Sequence, residues 1–360
     1  MKTAVRRPHP KGRPHMASHL VVTRRRRYAA ASPLPRSSIG SQVHAGATET
    51  GFSTGSWSMR RGVLLLLAAL AAAGCSTEEP AAPVDAFRFE LATYNVFLRP
   101  RGLFDDRQLD RARDIPGAVE GFDAVAFQEV FDDSARGVLL AGVAGAYPYR
   151  TRVLGTAAFG REDGGVVLVS RWPIVEEDQL LFGSVCADSD CLADKGVLYA
   201  AVDKAGQRYH VFATHLQAGG AARAVREEQL DLLRGFVLDL AVPPGEPVLV
   251  VGDLNVDLHD AAAYADLLIR VSADSVRYAG HPFSVDGAEN TLVLGDQQEL
   301  LDHVLPVTGT PWILAENRVF VVGGGGGDLS DHYPVLGAFA WEGPDGAAGA
   351  ARRSSGAVFR

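Results

Sequence analysis

The chain has 360 residues, of which 47% are hydrophobic and 22% are charged, a composition typical of a globular protein with one large or two small domains. Residues 1–75 hold 12 of the 35 Lys and Arg but 1 of the 43 Asp and Glu, so 23 basic and 42 acidic residues remain in 76–360, a formal charge of −19. Binding to a phosphate backbone depends largely on Lys and Arg, and this acidic segment therefore argues against a nucleic-acid-binding protein.

An export signal follows an Arg-rich and Pro-rich leader. It consists of a basic start at Met59, an uncharged apolar run over 63–73 and small residues before Cys75. The apolar run is too short to span a membrane, so 59–75 is predicted to be a signal peptide. Because a signal peptide works from the extreme N-terminus, we interpret 1–58 as an upstream extension that is not native. A disordered basic leader that binds nucleic acid is the alternative.

The end of this signal, Ala72-Ala73-Gly74-Cys75, resembles a bacterial lipobox, in which cleavage leaves a lipid-modified cysteine at the new N-terminus. Ala72 stands where Leu is commoner, and ordinary secretion by cleavage near the same place is the alternative. The resemblance implies an exported bacterial lipoprotein of the cell envelope, or a secreted protein, that is held at a membrane by Cys75. Residues 76–86 are predicted to be a flexible tether.

One domain is predicted over 87–342, followed by a disordered tail over 343–360 that is rich in Gly, Ala, Ser and Arg. Some strands follow each other without a helix between them, so a simple doubly wound topology fits poorly. The predicted elements are a strand over 87–96, a helix over 107–119, a strand over 123–127, a helix over 132–143, a strand over 164–170, a hairpin of 197–202 and 207–214, a helix over 221–240, a strand over 248–251, a helix over 260–271, a strand over 300–305, two short strands within 312–322 and a last strand over 335–341.

Polar side chains recur beside the predicted strands. Asp253 and Asn255 follow the apolar run 248–251, and since side chains alternate along an extended backbone, we expect both to point the same way. Each such residue alone could be an ordinary turn, core or solvated residue. Their recurrence favours a functional site made of Asn95, Glu129, His215, Asp253, Asn255, Asp302, Asp331 and His332.

These residues stand in motifs that resemble, in the same order, those of the endonuclease/exonuclease/phosphatase superfamily: Thr-Tyr-Asn95, Phe-Gln-Glu129, Thr-His215, Gly-Asp253-Leu-Asn255, Leu-Asp302 and Ser-Asp331-His332. Within that superfamily, the stretches 162–174, 195–199, 214–217 and 330–335 are similar to bacterial neutral sphingomyelinases. The resemblance covers about 87–341. It implies the deoxyribonuclease I-like α/β fold, a four-layer α/β sandwich in which two central mixed or antiparallel sheets are flanked by helices.

The resemblance also implies phosphodiester hydrolysis that depends on Mg²⁺ or another divalent cation. Glu129, helped by Asn95, would hold the metal, since hard oxygen ligands suit Mg²⁺. His332 would act as general base for the attacking water, and Asp302 would fix its tautomer. Asp331 would serve the metal shell.

Further roles follow for the remaining residues. Asp253 and Asn255 would orient water and phosphate, and His215 would donate a hydrogen bond to the developing oxyanion. Asp163 and Lys195 are assigned to phosphate or head-group contacts. Asp190, five residues before Lys195, forms with it a pair that resembles the Asp/Lys pair proposed as a switch in animal neutral sphingomyelinases.

The favoured function is a sphingomyelinase C-type phospholipase, a monomer that releases phosphocholine and ceramide from sphingomyelin. An exported nuclease or another phosphatase of the superfamily, and a catalytically inactive surface lipoprotein, are the alternatives.

Two local features refine this interpretation. With Cys75 assigned to lipid, Cys186 and Cys191 remain, and a pair so close in an exported protein is predicted to form a disulfide, with two free thiols as the alternative. Secreted sphingomyelinases that resemble this chain carry a long bilayer-entering hairpin before the Ser-Asp-His motif. Here that interval is short, has Trp312 and Phe320 as its aromatic residues, and ends in the glycine run 323–327.

Overall fold

The computed structural model describes residues 85–341, apart from 159 and 311. The leader, the signal peptide, Cys75, most of the tether and the C-terminal tail lie outside the described residues, so their assignments stay predictions. In the part that is described, no helix is both long enough and apolar enough to cross a membrane.

Four α-helices are present in the described chain: α1 (Gln108–Ala118), α2 (Asp133–Val143), α3 (Arg223–Asp239) and α4 (Ala261–Val271). The strands are β1 (Arg88–Asn95), β2 (Ala124–Gln128), β3 (Tyr149–Arg150), β4 (Val167–Ser170), β5 (Ile174–Leu181), β6 (Gly196–Lys204), β7 (Gln207–His215), β8 (Val248–Asp253), β9 (Arg277–Gly280), β10 (Val285–Asp286), β11 (Gln298–Glu299), β12 (Asp302–Pro306), β13 (Trp312–Val319), β14 (Gly323–Gly324), β15 (Gly327–Asp328) and β16 (Val335–Trp341). Short 3₁₀ turns cover Asp188–Leu192 and Gly220–Ala222.

Two large sheets form the centre of the domain. One has the strand order β3-β4-β2-β1-β16-β13-β9, and the other has the order β12-β8-β7-β6-β5. Apolar side chains between the sheets, such as Phe89 and Tyr209, which stack on each other, belong to one core cluster. The cluster continues on the other face of the five-stranded sheet, where Phe212 packs against Phe236 of α3, and reaches Leu267 of α4. A second cluster joins the outer face of the seven-stranded sheet to α1 and α2. The predicted four-layer, deoxyribonuclease I-like sandwich is thus confirmed.

Several segments differ from the sequence-based prediction, and three of them bear on the sheets and on the glycine run. Strand β5 was not predicted, because its centre, Glu176 to Asp178, is charged; it lies at a sheet edge, where charged side chains keep other strands from pairing. The stretch predicted as two short strands contains one, β13, which pairs with both β16 and β9. The glycine run supplies β14 and part of β15, a hairpin whose strands are two residues long.

Strand directions explain why the polar motifs meet at one edge of the sandwich. β1 and β2 are parallel, as are β7 and β8, so each pair delivers its C-terminal residues to the same edge. β12 runs antiparallel to β8 and β16 runs antiparallel to β1, so these two strands begin where their partners end. Residues at the start of β12 and just before β16 therefore join those at the ends of the other strands.

Gly252 allows β7 and β8 of the five-stranded sheet to approach each other. Its φ of 147° is rarely adopted by residues with a side chain. A Cβ atom at this position would also collide with the Thr214 carbonyl oxygen of β7. Any larger residue would push β8 away from β7 and would displace Asp253, the next residue.

Candidate active site

Asp253 is the centre of a buried polar cluster that joins the two sheets. Asn95, at the end of β1, donates from Nδ2 to Asp253 Oδ2 at 3.0 Å and to Glu129 Oε1 at 3.1 Å. The Asn95 Oδ1 atom accepts from the Phe97 amide. Asn95 therefore holds one carboxylate from each sheet in a fixed relation to the other.

His332 lies on the other side of Asp253 and is paired with Asp302. His332 Nδ1 is 2.7 Å from Asp302 Oδ2, while its Nε2 is 3.7 Å from Asp253 Oδ2. Burial disfavours the charged ring, but the Asp302 and Asp253 carboxylates outweigh burial and raise the pKa of His332 well above its usual value. In the neutral ring, the pairing holds the proton on Nδ1 and leaves Nε2 facing the cavity to accept a proton, as a general base requires.

His215 and Asn255 complete the wall opposite Glu129. His215 Nε2 is 3.5 Å from Asp253 Oδ2, and burial, followed by the charge of Lys195, lowers the pKa of His215 to about 3. The imidazole is therefore neutral at pH 7 and can donate one hydrogen bond. Asn255 Nδ2 donates to the Leu216 carbonyl at 3.2 Å, and the Asn255 amide donates to Asp253 Oδ1 at 3.0 Å.

The backbone at Asn255 differs from the extended one that was expected. Strand β8 ends at Asp253, and Asn255 has a φ of 51°, in the left-handed region that asparagine tolerates better than most residues. Both side chains nevertheless line the same cavity. The reason is a turn that is closed by the Asp253 carboxylate, not strand alternation.

Two supporting residues were not identified from the sequence. Ser330 Oγ donates to the Asn95 carbonyl at 2.6 Å and accepts from the His332 amide at 3.2 Å. Arg111 of α1 is buried and donates to the carbonyls of Val96, Phe97 and Leu329, which ties together the loops on either side of the cluster. Ser330 stands inside a motif that could have indicated it, whereas Arg111 has no such signal.

The acidic cluster fits a divalent cation. Burial, with the nearby Asp331 charge, raises the pKa of Glu129 to about 7, and burial raises the pKa of Asp331 to about 6. The positive charges nearby, such as His332, lower these pKa values less than burial raises them, so a bound cation would stabilise both carboxylates. Ligand atoms of Asp253, Asp302 and His332 also lie within 4.8 Å of one another. Glu129 and Asp331, beside Asp253, offer the hard oxygen atoms that Mg²⁺-type ions prefer.

The cluster opens into a cavity of about 690 Å³. Eight Asp or Glu and three Arg side chains line it. The three cations are already engaged, Arg99 by Asp106, Arg223 by Glu227, and Arg226 by the Gln217 and Gly219 carbonyls. Of the predicted residues, Glu129, His215, Asp253, Asn255, Asp331 and His332 line the cavity, whereas Asn95 and Asp302 support them from behind.

Asp163 and Lys195 are placed differently from the rest. Asp163 pairs with Arg136 at 2.8 Å and accepts from the Gly165 amide, and it is absent from the cavity lining. Lys195 also lies outside the lining and contacts Asp190 Oδ2 and the Leu216 carbonyl, each at 3.1 Å. Their assignment to substrate contacts stays a prediction.

Cys186 and Cys191 form the predicted disulfide, with an S–S distance of 2.04 Å.

Comparison with known proteins agrees with this geometry. Residues 92–332 match the model of the Endonuclease/Exonuclease/phosphatase family. A phospholipase C of Staphylococcus aureus is 30% identical, over 78% of this chain and 97% of its own. Sphingomyelinase C 2 of Leptospira interrogans is also 30% identical, over 69% of this chain and 45% of its own length, so the chain spans about half of that relative.

Solved structures of similar proteins include sphingomyelinase C from Streptomyces griseocarneus, at 35% identity and a TM-score of 0.64, covering 70% of this chain and 99% of that one. A mutant of the S. aureus beta toxin with bound magnesium ions has 30% identity, a TM-score of 0.63 and the same coverage. The motif residues fall inside the matched region and converge on one cavity. The chain therefore belongs to the endonuclease/exonuclease/phosphatase family.

Proposed function

We propose that this protein is a Mg²⁺-dependent phospholipase C of the sphingomyelinase type, which hydrolyses sphingomyelin to phosphocholine and ceramide. The observation that carries the proposal is the His332–Asp302 pair, which faces the same cavity as the Glu129, Asp253 and Asp331 carboxylates. This arrangement supplies a general base next to a set of oxygen ligands for a metal ion, in a chain similar to sphingomyelinases.

In the proposed mechanism, His332 Nε2 accepts the proton of a water molecule that attacks the phosphorus atom. The bond from phosphorus to the ceramide oxygen breaks, and that oxygen takes up a proton from solvent and leaves as the ceramide hydroxyl. Asp302 stabilises the resulting imidazolium through Nδ1. Asn255 and neutral His215 donate hydrogen bonds to phosphate oxygens as negative charge builds on them. Glu129 and Asp331, with Asn95 holding Glu129, would bind Mg²⁺, which when bound neutralises a nonbridging phosphate oxygen.

The charge of the cavity favours a lipid with a cationic head group over a nucleic acid. A nucleic acid would present several phosphates to a wall on which acidic side chains outnumber basic ones and every arginine already has a partner. A choline head group carries one phosphate and one cation. Half-buried Glu299 lines the cavity, and burial, with Asp257 nearby, raises its pKa, so a bound cation there would relieve an unfavourable site.

Access to a lipid would not use an inserting hairpin. Trp312 packs against Phe339, and Phe320 packs near Phe122, so neither aromatic residue of the interval projects into solvent. Leu294, in contrast, is an apolar residue of the cavity lining that is 83% exposed to solvent. We therefore propose that other segments bring the site to the substrate bilayer, while a lipid on Cys75 holds the protein at its own membrane.

The test uses vesicles of sphingomyelin, vesicles of phosphatidylcholine and double-stranded DNA, each with and without Mg²⁺. We expect phosphocholine release from sphingomyelin, slower release from phosphatidylcholine, no DNA cleavage, and loss of activity in excess chelator. Robust DNA cleavage without phosphocholine release would favour the nuclease alternative. Full turnover in chelator would reject the metal requirement, and inactivity on every substrate would favour a binding lipoprotein.

We also propose that the native protein starts at Met59 and is exported as a lipoprotein. The proposal is supported by the charge and apolar pattern of 59–75 and by the Cys186–Cys191 disulfide, a bond that persists in oxidising compartments. Mass spectrometry of the protein from its native source tests this. We expect an N-terminal peptide with acylated Cys75, and a peptide from upstream of Met59 would contradict the start.

A further inference from the structure

The segment 186–195, closed by the Cys186–Cys191 disulfide, packs against the turn 215–219 that leaves β7. Ala187 donates its amide to Gln217 Oε1 at 2.8 Å and accepts from Gln217 Nε2 at 3.2 Å. Asp190 Oδ2 accepts from the Ala218 amide at 2.9 Å. These bonds tie the disulfide-closed segment to the chain that carries His215.

The same turn is held from its other side by α3. Gln229 Oε1 accepts from the Gln217 amide at 2.8 Å, and Arg226 donates to the Gln217 and Gly219 carbonyls. Gln217 and Gln229 are almost fully buried, at 3% and 0% exposure. The polar groups of the turn are thus paired between two supports, so that its position depends on both.

Lys195 is the point where the disulfide-closed segment reaches the active site. Its side chain is 6% exposed, and its ammonium group donates to the Leu216 carbonyl at 3.1 Å while pairing with Asp190 at 3.1 Å. The Leu216 carbonyl accepts a second hydrogen bond, from Asn255 Nδ2 at 3.2 Å. Lys195 therefore lies one shared acceptor away from Asn255 and outside the cavity lining.

We propose that Lys195 is a positioning residue, which acts through the Leu216 carbonyl to orient the Asn255 amide and to fix the turn that carries His215. The Leu216 carbonyl is the acceptor of the Asn255 side-chain amide, so the orientation of that amide depends on where the carbonyl lies. An ammonium group fixed between Asp190 and Leu216 restrains the carbonyl that Asn255 binds. The proposal rests on the proposed function, in which Asn255 and His215 stabilise the transition state.

The test compares Lys195→Met with Lys204→Met. Lys204 is a matched control, since it is 7% exposed, pairs with Asp123 at 2.8 Å and donates to the Arg88 carbonyl, far from the cavity. Each variant leaves an aspartate without its cation, half-buried Asp190 in Lys195→Met and buried Asp123 in Lys204→Met. We expect Lys195→Met to lower kcat about 10- to 100-fold with KM within about twofold, because misplaced groups act on the transition state. Lys204→Met should lower stability but change kcat less than about twofold.

Two further measurements separate positioning from other roles. Lys195→Arg, which restores a donor, should recover most of kcat. In an Asn255→Ala background, Lys195→Met should cost less than about threefold, because the two residues act on one path. An additive loss in that background would show that Lys195 does not act through Asn255, and a rise in KM with unchanged kcat would show that it contacts substrate; either result would overturn the proposal. Equal kcat losses in Lys195→Met and Lys204→Met would overturn it too.

A readout without substrate keeps this test apart from the proposed function. The side-chain amide signal of Asn255 in a ¹⁵N-labelled protein, identified by its loss in Asn255→Ala, should shift in Lys195→Met and not in Lys204→Met. An unshifted signal overturns the proposal even if the enzyme is active. A shifted signal in a protein without sphingomyelinase activity rejects the function alone. If Lys195→Met fails to fold, Asp190→Asn, which keeps an acceptor for Ala218, should give a smaller shift in the same signal.

Discussion

At the residue scale, the chemistry depends on how carboxylates are shared between His332 and the oxygen ligands beside it. Asp302 is fully buried and contacts His332 through Oδ2, while its Oδ1 has no hydrogen-bond partner in the described part of the chain. Asp253, in contrast, accepts hydrogen bonds from Asn95 and from the backbone amide of Asn255. His215 and His332 also lie near it. The Asp302 carboxylate thus contacts His332, the proposed base, whereas Asp253 connects Asn95, Asn255 and the two histidines.

Replacement of His332 by alanine should abolish nearly all turnover and leave the fold intact. A positioned general base contributes about 100- to 10,000-fold to rate, and no other side chain of the cavity is paired to act in its place. His259→Ala, at an exposed histidine outside the cavity, is the control. Steady-state kinetics decide the matter: activity within about tenfold of wild type, or about 1.4 kcal/mol in the barrier, would show that His332 is not the base.

Replacement of Glu129 by glutamine should raise the Mg²⁺ concentration needed for half-maximal activity. The pKa of Glu129 is raised to about 7 by burial, so in wild type the Mg²⁺ requirement should rise as the pH falls below about 7, where protons compete with the metal. A glutamine side chain does not titrate, so Glu129→Gln should show a weaker pH dependence of that requirement. Mg²⁺ titrations of activity at pH 6 and pH 7.5 measure both effects. An unchanged Mg²⁺ requirement in the variant would remove Glu129 from the metal site.

Glu299 should matter for substrate affinity more than for turnover. Its carboxylate faces the cavity and is half-buried, so Glu299→Gln should raise KM for a choline lipid about two- to fivefold, the effect of one partly exposed ion pair. The kcat value should change little, because the head-group cation takes no part in bond cleavage. KM values for sphingomyelin and for a phosphodiester without a cationic head group supply the comparison. An equal change for both substrates would argue against a head-group role.

At the element scale, the disulfide adds stability to a segment without long secondary structure. The Cys186–Cys191 bond joins residues five positions apart in the chain, and for so short a loop the loop entropy predicts about 2 kcal/mol. The double variant Cys186→Ser, Cys191→Ser should therefore unfold at lower urea concentration by about this free energy. A reducing agent should lower the stability of wild type and leave that of the variant unchanged. A variant as stable as wild type would mean that the loop is held by its hydrogen bonds alone.

Where local pattern carries the information, the sequence predicted the main strands and marked residues that the structure brings together at one cavity. Asp253 and His332 stand in short motifs at strand boundaries, and the apolar runs beside them locate the core. Arg111 could not be found in this way, because a helical arginine is ordinarily solvated and its partners, such as Leu329, are distant in the chain. Strand β5 was missed for a related reason, since an edge strand carries charges that local pattern assigns to a loop.

At the scale of the whole molecule, buried histidines make folding sensitive to acid. His303 is fully buried, contacts Tyr278 and the Val256 carbonyl, and has its pKa lowered to about 4 by burial. The unfolded chain binds this proton near pH 6.5, more tightly than the folded one does. The stability that neutral His303 contributes is therefore present above pH 6.5 and falls as the pH drops from 6.5 towards 4.

This effect should appear as a difference between wild type and the His303→Gln variant. Between pH 7 and pH 5, His303 should cost wild type about 2 kcal/mol of unfolding free energy. His303→Gln should lose less over the same interval, although it starts from a lower stability. Urea unfolding at both pH values measures the two changes in unfolding free energy. The contributions of carboxylates such as Glu129 cancel in the comparison, because both proteins contain them. Equal losses in the two proteins would show that His303 is not the group responsible.

The direction of β1 bears on how the protein would work at a membrane. Arg88 begins the strand beside Ala340, and Asn95 ends it at the active site, about 23 Å away at roughly 3.3 Å per residue. A tether that enters before Arg88 thus pulls on the end of the sandwich opposite the cavity. If Cys75 is acylated, 76–86 can extend at most ~38 Å, and the cavity faces away from the anchoring bilayer unless the domain turns over. If the protein is anchored and active as proposed, its cavity would meet a bilayer other than the one that holds the anchor.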